Sequence, residues 1–267
     1  MKRFNLICGL VLLFPTFPAL ALDTQPDNLS SPVTVNLETP FTTPQKTVAL
    51  QAGFRFIEPP ESIAFSSLTL RYGISGNLEA ALRGSTGATR DTKVTSGGVI
   101  SHGGSDLELF AKYALMSSDR TGLAALVGVS FPSTPAQNQA VATIGASGSF
   151  RINNRTTLFL NPRATLQDSN EIVGIGVGVE SRVVGKLSLV GDWTGIASGM
   201  NTRDTANGNK IRRDIWGAAL RWTAVSNTSI VSLDLGYGNG TGLTTGFGLT
   251  PGLANSAGFY IALAVRR

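Results

Sequence analysis

From Thr47 onward the chain alternates. Segments of about ten residues place apolar side chains at every second position, with polar, charged or glycine residues between them. In "IVGIGVGVESR" (172–182), Val173, Ile175, Val177 and Val179 share one face of an extended strand, and Gly174, Gly176, Gly178, Glu180 and Arg182 share the other. The same division sets Leu107, Leu109, Ala111, Tyr113 and Leu115 against Glu108 and Lys112. It also sets Leu158, Leu160, Ala164 and Leu166 against Thr157, Asn161, Arg163 and Thr165. No helical period is evident, and beyond residue 21 no apolar run approaches the ~18–20 residues of a membrane-crossing helix. Twelve strands are predicted, at 46–56, 63–74, 77–84, 105–116, 121–132, 138–151, 155–166, 170–182, 186–194, 213–223, 227–237 and 256–266. The expected fold is all-β, and a count between about ten and fourteen fits the pattern.

The connections decide between kinds of sheet. After every even strand but the last they are short: "SGN" (75–77), "SSDRT" (117–121), "NNR" (153–155), "VGK" (184–186) and "VSN" (225–227). After odd strands they vary and reach the length of 84–104, 197–213 and 238–258. Sorting of loops by parity belongs to an antiparallel transmembrane β-barrel, with short periplasmic turns and long outer loops. A soluble sandwich has no cause to sort them. The aromatic residues agree. With both termini periplasmic, Tyr72, Tyr113, Phe150 and Trp222 fall on apolar faces near one end of the strands. Phe54, Phe131, Trp193, Trp216, Tyr237 and Phe259 fall near the other, and aliphatic residues lie between. Two such girdles suit two lipid–water interfaces, so outer-membrane lipids are the expected surroundings.

The first 21 residues read as a secretory signal peptide: Lys2 and Arg3, an apolar core from Phe4 to Phe14, then Ala19-Leu20-Ala21. Its removal takes away Cys8, the only cysteine, and lowers the formal charge from +5 to +3. Export and the lack of basic runs speak against nucleic acid as a partner. Residues 22–45, with Pro26, Pro32, Pro40 and Pro44, read as an irregular lead-in, too short for a large plug domain but able to occlude part of the periplasmic opening. The barrel itself is expected over 46–267.

Two motifs that suggest chemistry fail on spacing. Gly178 precedes Gly185-Lys186 by six residues rather than the four of a P-loop, and Leu187 follows where Ser or Thr belongs. Val179 stands where a dinucleotide fingerprint requires its third glycine. The glycines of 174–178 are instead expected to face the lumen and to make space there. His102, the only histidine, lies between Ser101 and Ser105 in a glycine-rich loop. A lipid-modifying barrel hydrolase centred on His102 is therefore an alternative, as is a closed structural or adhesive barrel. No cofactor or metal site is expected.

The inward faces carry Arg55, Arg71, Arg83, Lys112, Arg151, Arg163, Arg182, Arg221 and Arg266 against Glu79, Glu108, Glu180, Asp192 and Asp234. Nine cations facing five acids predict a mildly basic lumen that selects among small solutes without any chemical step.

Two hairpins, "SLTLRYGISGNLEAALRG" (67–84) and "DLELFAKYALMSSDRTGLAALVGVSFPS" (106–133), resemble transporters grouped with the phenol meta-degradation pathway family. The resemblance implies a Gram-negative outer-membrane channel for small organic, aromatic or anionic compounds, assembled by the barrel-assembly machinery. The last strand, "FYIALAVRR", ends on Arg267 and not on the aromatic residue usual in such barrels.

Overall fold

The computed structural model describes residues 34–57, 63–89, 94–95, 98–99, 104–133, 140–166, 171–203, 209–226, 229–240, 249 and 257–267. Twelve strands form one closed antiparallel barrel. They are β1 (Val48–Ile57), β2 (Ile63–Gly73), β3 (Leu78–Thr89), β4 (Gly104–Ser117), β5 (Thr121–Ser133) and β6 (Val141–Arg151). Then follow β7 (Thr156–Leu166), β8 (Ile172–Val184), β9 (Leu187–Ser198), β10 (Ile215–Val225), β11 (Ile230–Gly238) and β12 (Gly258–Arg266). Each strand pairs with its chain neighbours, and β1 closes on β12 with Ala49 opposite Arg266 and Ile57 opposite Gly258. Closure removes the unpaired edges that an open sheet would present. Two small hairpins, Val94–Thr95 with Gly98–Val99 and Thr202–Arg203 with Lys210–Ile211, lie in the long connections.

At one end, the turn end, the connections are tight and closed by backbone hydrogen bonds. Ser118 N donates to the Thr121 carbonyl at 2.9 Å and Ile152 N to the Thr156 carbonyl at 3.0 Å. The "VGK" turn places Gly185 at φ +52°, the left-handed region where a side chain is strained. Both barrel termini also lie at this end. The other, loop end carries the long connections. Here the strands run further than their alternation suggests: β3 continues to Thr89 and β9 to Ser198, past the expected 84 and 194. Outside a lipid slab both faces meet water, so period two lapses while the backbone ladder continues.

The alternation has a physical meaning in the closed barrel. Outward residues such as Leu109 and Leu160 are 58% and 51% exposed. Inward neighbours such as Glu108 and Asn161 are fully covered. A polar interior under an aliphatic exterior is unstable in water and suits a hydrocarbon surround. Tyr72, Tyr113, Phe150 and Trp222 are exposed on the outer surface toward the turn end. Phe54, Phe131, Trp193, Trp216, Tyr237 and Phe259 are exposed toward the loop end. On adjacent strands Trp216, Tyr237 and Phe259 form a ring contact chain, with centroid distances of 6.0 and 5.0 Å.

Leu160 sits midway along β7 on the lipid face. Leu160→Arg is expected to destabilise the barrel by about 2–4 kcal/mol in urea titrations in bilayers. A change within experimental error would show that this face does not meet hydrocarbon.

Candidate functional site

The lumen is not empty. Residues 34–47, "TVNLETPFTTPQKT", thread along its interior from near the loop end to the turn end, where they lead into β1. Pro40 and Pro44 lack a backbone donor, and the segment forms no strand with the wall, only isolated bridging contacts such as that between Gln45 and Gly73. Its remaining buried backbone groups therefore need other partners. Wall side chains supply them. Arg55 Nη2 donates to the Val35 carbonyl at 3.1 Å, and Arg163 Nη2 to that of Asn36 at 3.3 Å. Ser147 Oγ donates to the Glu38 carbonyl at 2.6 Å, and Lys112 Nζ to those of Thr39 and Phe41 at 3.2 and 2.7 Å. Asp192 accepts from Thr34 Oγ1, Asn36 N and Asn36 Nδ2 at 2.6–2.7 Å.

The glycines of β8 explain where the segment lies. A Cβ at Gly176 would stand 2.5 Å from Leu37 Cδ2, and one at Gly178 would stand 3.3 Å from Leu37 Cδ1. Leu37 is wholly buried against this bare stretch of wall. Leu249, from the long loop after β11, packs likewise over Gly174 and joins Ile172, Ile196 and Ile215 in an apolar cluster.

Glu38 is the electrostatic centre. Its Oε1 lies 3.0 Å from Arg71 Nη2 and 2.5 Å from Arg83 Nη2, and its Oε2 lies 3.4 Å from Lys112 Nζ. The wall brings two acids of its own. Glu79 pairs with Arg71 at 2.6 Å and Lys112 at 3.5 Å, and Glu108 pairs with Arg83 at 3.3 Å. Among these five wall residues three cations face two anions, and Glu38 supplies a third negative charge. Burial would raise the Glu38 carboxyl, but Arg71, Arg83 and Lys112 together hold it well below the usual carboxylate range. Glu79 also accepts from Thr43 N and Oγ1, both at 2.7 Å. A separate cluster joins Arg221 to Asp234 through two bonds of 2.7 Å and to Glu180 at 3.1 Å.

Toward the turn end the character changes. A cavity of 570 Å³ opens there between the segment and the ends of β5 to β10, with Phe41 at its inner side. Arg120, Arg151, Arg155, Arg182 and Lys186 line it, against the acids Asp119 and Glu180. A smaller cavity of 360 Å³ lies on the other side of Phe41, beside Arg266.

The inward residues expected from the pattern thus fall into groups. Arg71, Glu79, Arg83, Glu108, Lys112 and Arg163 surround residues 36–43. Arg55 and Asp192 hold residues 34–36, Arg221 and Asp234 bind each other, and Glu180 and Arg182 reach the vestibule. Glu38, Asn36 and Thr34 were not among the expected site residues, because the lead-in has no periodicity to assign them a face. His102 lies outside the described residues.

No protein-family model matches the chain, and no curated protein sequence matches it. The resemblance to the phenol meta-degradation family therefore rests on its two hairpins alone. Solved structures share the architecture. An outer-membrane channel from Pseudomonas putida F1 aligns over 92% of this chain and 99% of its own, at 13% identity and TM-score 0.54. The NanC porin aligns over 81% and 98%, at 10% identity and TM-score 0.52. LpxR from Salmonella typhimurium aligns over 83% and 99%, at 8% identity and TM-score 0.50. These likenesses show the fold, that of the outer-membrane β-barrels.

Glu38→Gln removes that third negative charge from the buried cluster. Docking of the segment is expected to weaken by about 3–5 kcal/mol. Maleimide labelling of a cysteine placed at the buried Val35 checks this: slow in the parent, fast with Glu38→Gln. Equal rates would overturn the role given to Glu38. Gly176→Val, which intrudes on Leu37, is expected to accelerate the same labelling, at a cost of about 1–3 kcal/mol.

Proposed function

We propose that the chain is an outer-membrane channel for small polar solutes, held shut at rest by its own residues 34–47. The observation that carries this reading is how the segment is held. It contributes no strand to the wall, and side-chain hydrogen bonds and ion pairs are its main attachments, so it can leave without unzipping a β-ladder. Open space of 570 and 360 Å³ already lies on either side of Phe41. Permeation requires the segment to move aside while it stays tethered at Thr47. Solutes then pass a wall of alternating charge that favours polar over apolar cargo. No chemical step is needed.

A closed structural barrel is the competing reading, favoured by the buried ion pairs that fill the interior among the described residues. Planar-bilayer recording separates the two. Deletion of residues 34–44 is expected to give stable conductance steps, and the parent brief or rare ones. A deletion variant that is folded by heat-modifiable mobility yet silent would sink the channel reading.

Acid provides a second test. Docking holds the Glu38 carboxyl below its ordinary value of 4.5. The stabilisation from its charge is therefore complete above that pH and is lost as pH falls through the lowered value. Open probability is expected to stay flat from pH 8 to 5 and to rise in stronger acid. With Glu38→Gln the segment's acid response is expected to shrink. An equally steep acid response in that variant would assign the opening to another group.

A further inference from the structure

Cations inside this barrel are treated in two ways. Those deep in the lumen are held by partners: Arg71, Arg83 and Lys112 share Glu38, Glu79 and Glu108, Arg221 takes Asp234 and Glu180, and Arg55 donates to the carbonyls of Val35 and Gly240. Around the vestibule the pattern reverses. Among the described residues, Arg120, Arg151, Arg155, Arg182 and Lys186 form no ion pair and donate no side-chain hydrogen bond. Of the two acids present, Glu180 is already bound to Arg221 at 3.1 Å, which leaves Asp119 alone to face five cations.

Their gathering follows from the fold. Arg151 and Arg182 lie on the inward-facing positions of β6 and β8, two strands apart across β7. Arg120, Arg155 and Lys186 come from three successive turns at the same end. Backbone bonds tie those turns to the strands beside them: Arg151 N donates to the Arg120 carbonyl, and Arg182 N to the Arg155 carbonyl, each at 2.8 Å. Ser149, Thr157, Ser188 and Thr223 add hydroxyl groups to the lining. The cavity of 570 Å³ lies within the range of ~300–1,000 Å³ typical of small-molecule sites.

We propose that this vestibule binds a small organic anion carrying two or more carboxylate or phosphate groups. The inference rests on the channel reading for its purpose but on the vestibule alone for its chemistry. Guanidinium forks arranged around a concave surface match planar carboxylates and phosphates in two-bond geometry. Several separated cations favour a multivalent anion over chloride. Phe41, at the inner side, belongs to the segment that fills the lumen, so an occupied vestibule presses on the plug. A bound anion of this kind is the first contact on the route through the barrel from the turn end.

Isothermal titration of the mature full-length protein in detergent micelles with citrate, at low salt, tests the site. Saturable binding is expected, weakened by rising salt. Two lost charge-assisted contacts are each worth roughly tenfold, so Arg151→Gln with Arg182→Gln is expected to reduce affinity by about a hundredfold. The paired Arg→Lys variant, which keeps the charge and loses the forks, is expected to bind between the parent and the Gln pair, and all variants should retain heat-modifiable mobility. No saturable binding, or equal binding by the double Gln variant, overturns the proposal. Repetition in phosphatidylglycerol nanodiscs separates a soluble anion from a lipid headgroup: loss of citrate binding there gives the cations to lipid and overturns the assignment. Citrate binding by a barrel that never conducts, even after deletion of residues 34–44, retains the site and fells the channel. Conductance without citrate binding does the reverse.

Discussion

The interior is organised by one carboxylate. Without Glu38, the buried Arg71, Arg83 and Lys112 would lose the carboxylate that all three share. An uncompensated buried charge is among the most costly features a fold can contain. The wall has therefore been built around a segment that it does not itself include. Dependence runs both ways, because an irregular chain with two prolines satisfies most of its buried carbonyls through wall side chains: Arg55, Lys112, Ser147, Asn161 and Arg163.

Polarity is graded along the barrel axis. Near the loop end, Leu249 packs with Ile172, Ile196 and Ile215 in an apolar cluster. The middle is a lattice of ion pairs and of guanidinium–carbonyl hydrogen bonds. At the turn end ion pairs give way to a cavity lined by cations that form no ion pair among the described residues. A solute that arrives from that end meets attraction first, then a polar obstruction, then an apolar one. Each layer filters on a different property.

Much of the wall was legible because lipid outside and polar groups inside impose opposite demands on successive residues. Where that contrast ends, legibility ends too: β3 runs on through Ser85–Thr89 without an apolar face to reveal it. The role of Gly174, Gly176 and Gly178 was half visible. Their lumen position follows from the alternation, but Leu37 and Leu249 as the groups that fill their space do not. Glu38 carried no pattern at all. The one trace of it was indirect, in the excess of inward cations over inward acids. Part of that excess is answered from the lead-in, and part is left at the turn end.

A chain that runs inside a ring made of its own later residues sets an order on assembly. Residues 34–47 precede β1, and the ring is sealed only when β12, the last strand to be made, meets β1 along Ala49–Ile57. If the segment is laid against the forming sheet first, sealing encloses it without threading. If sealing comes first, a polar chain end must be drawn through the finished tube. The first route lets Glu38 offset the repulsion between Arg71, Arg83 and Lys112 while β2, β3 and β4 are still coming together. On that route the segment acts as a template for the early strands before it acts as a plug.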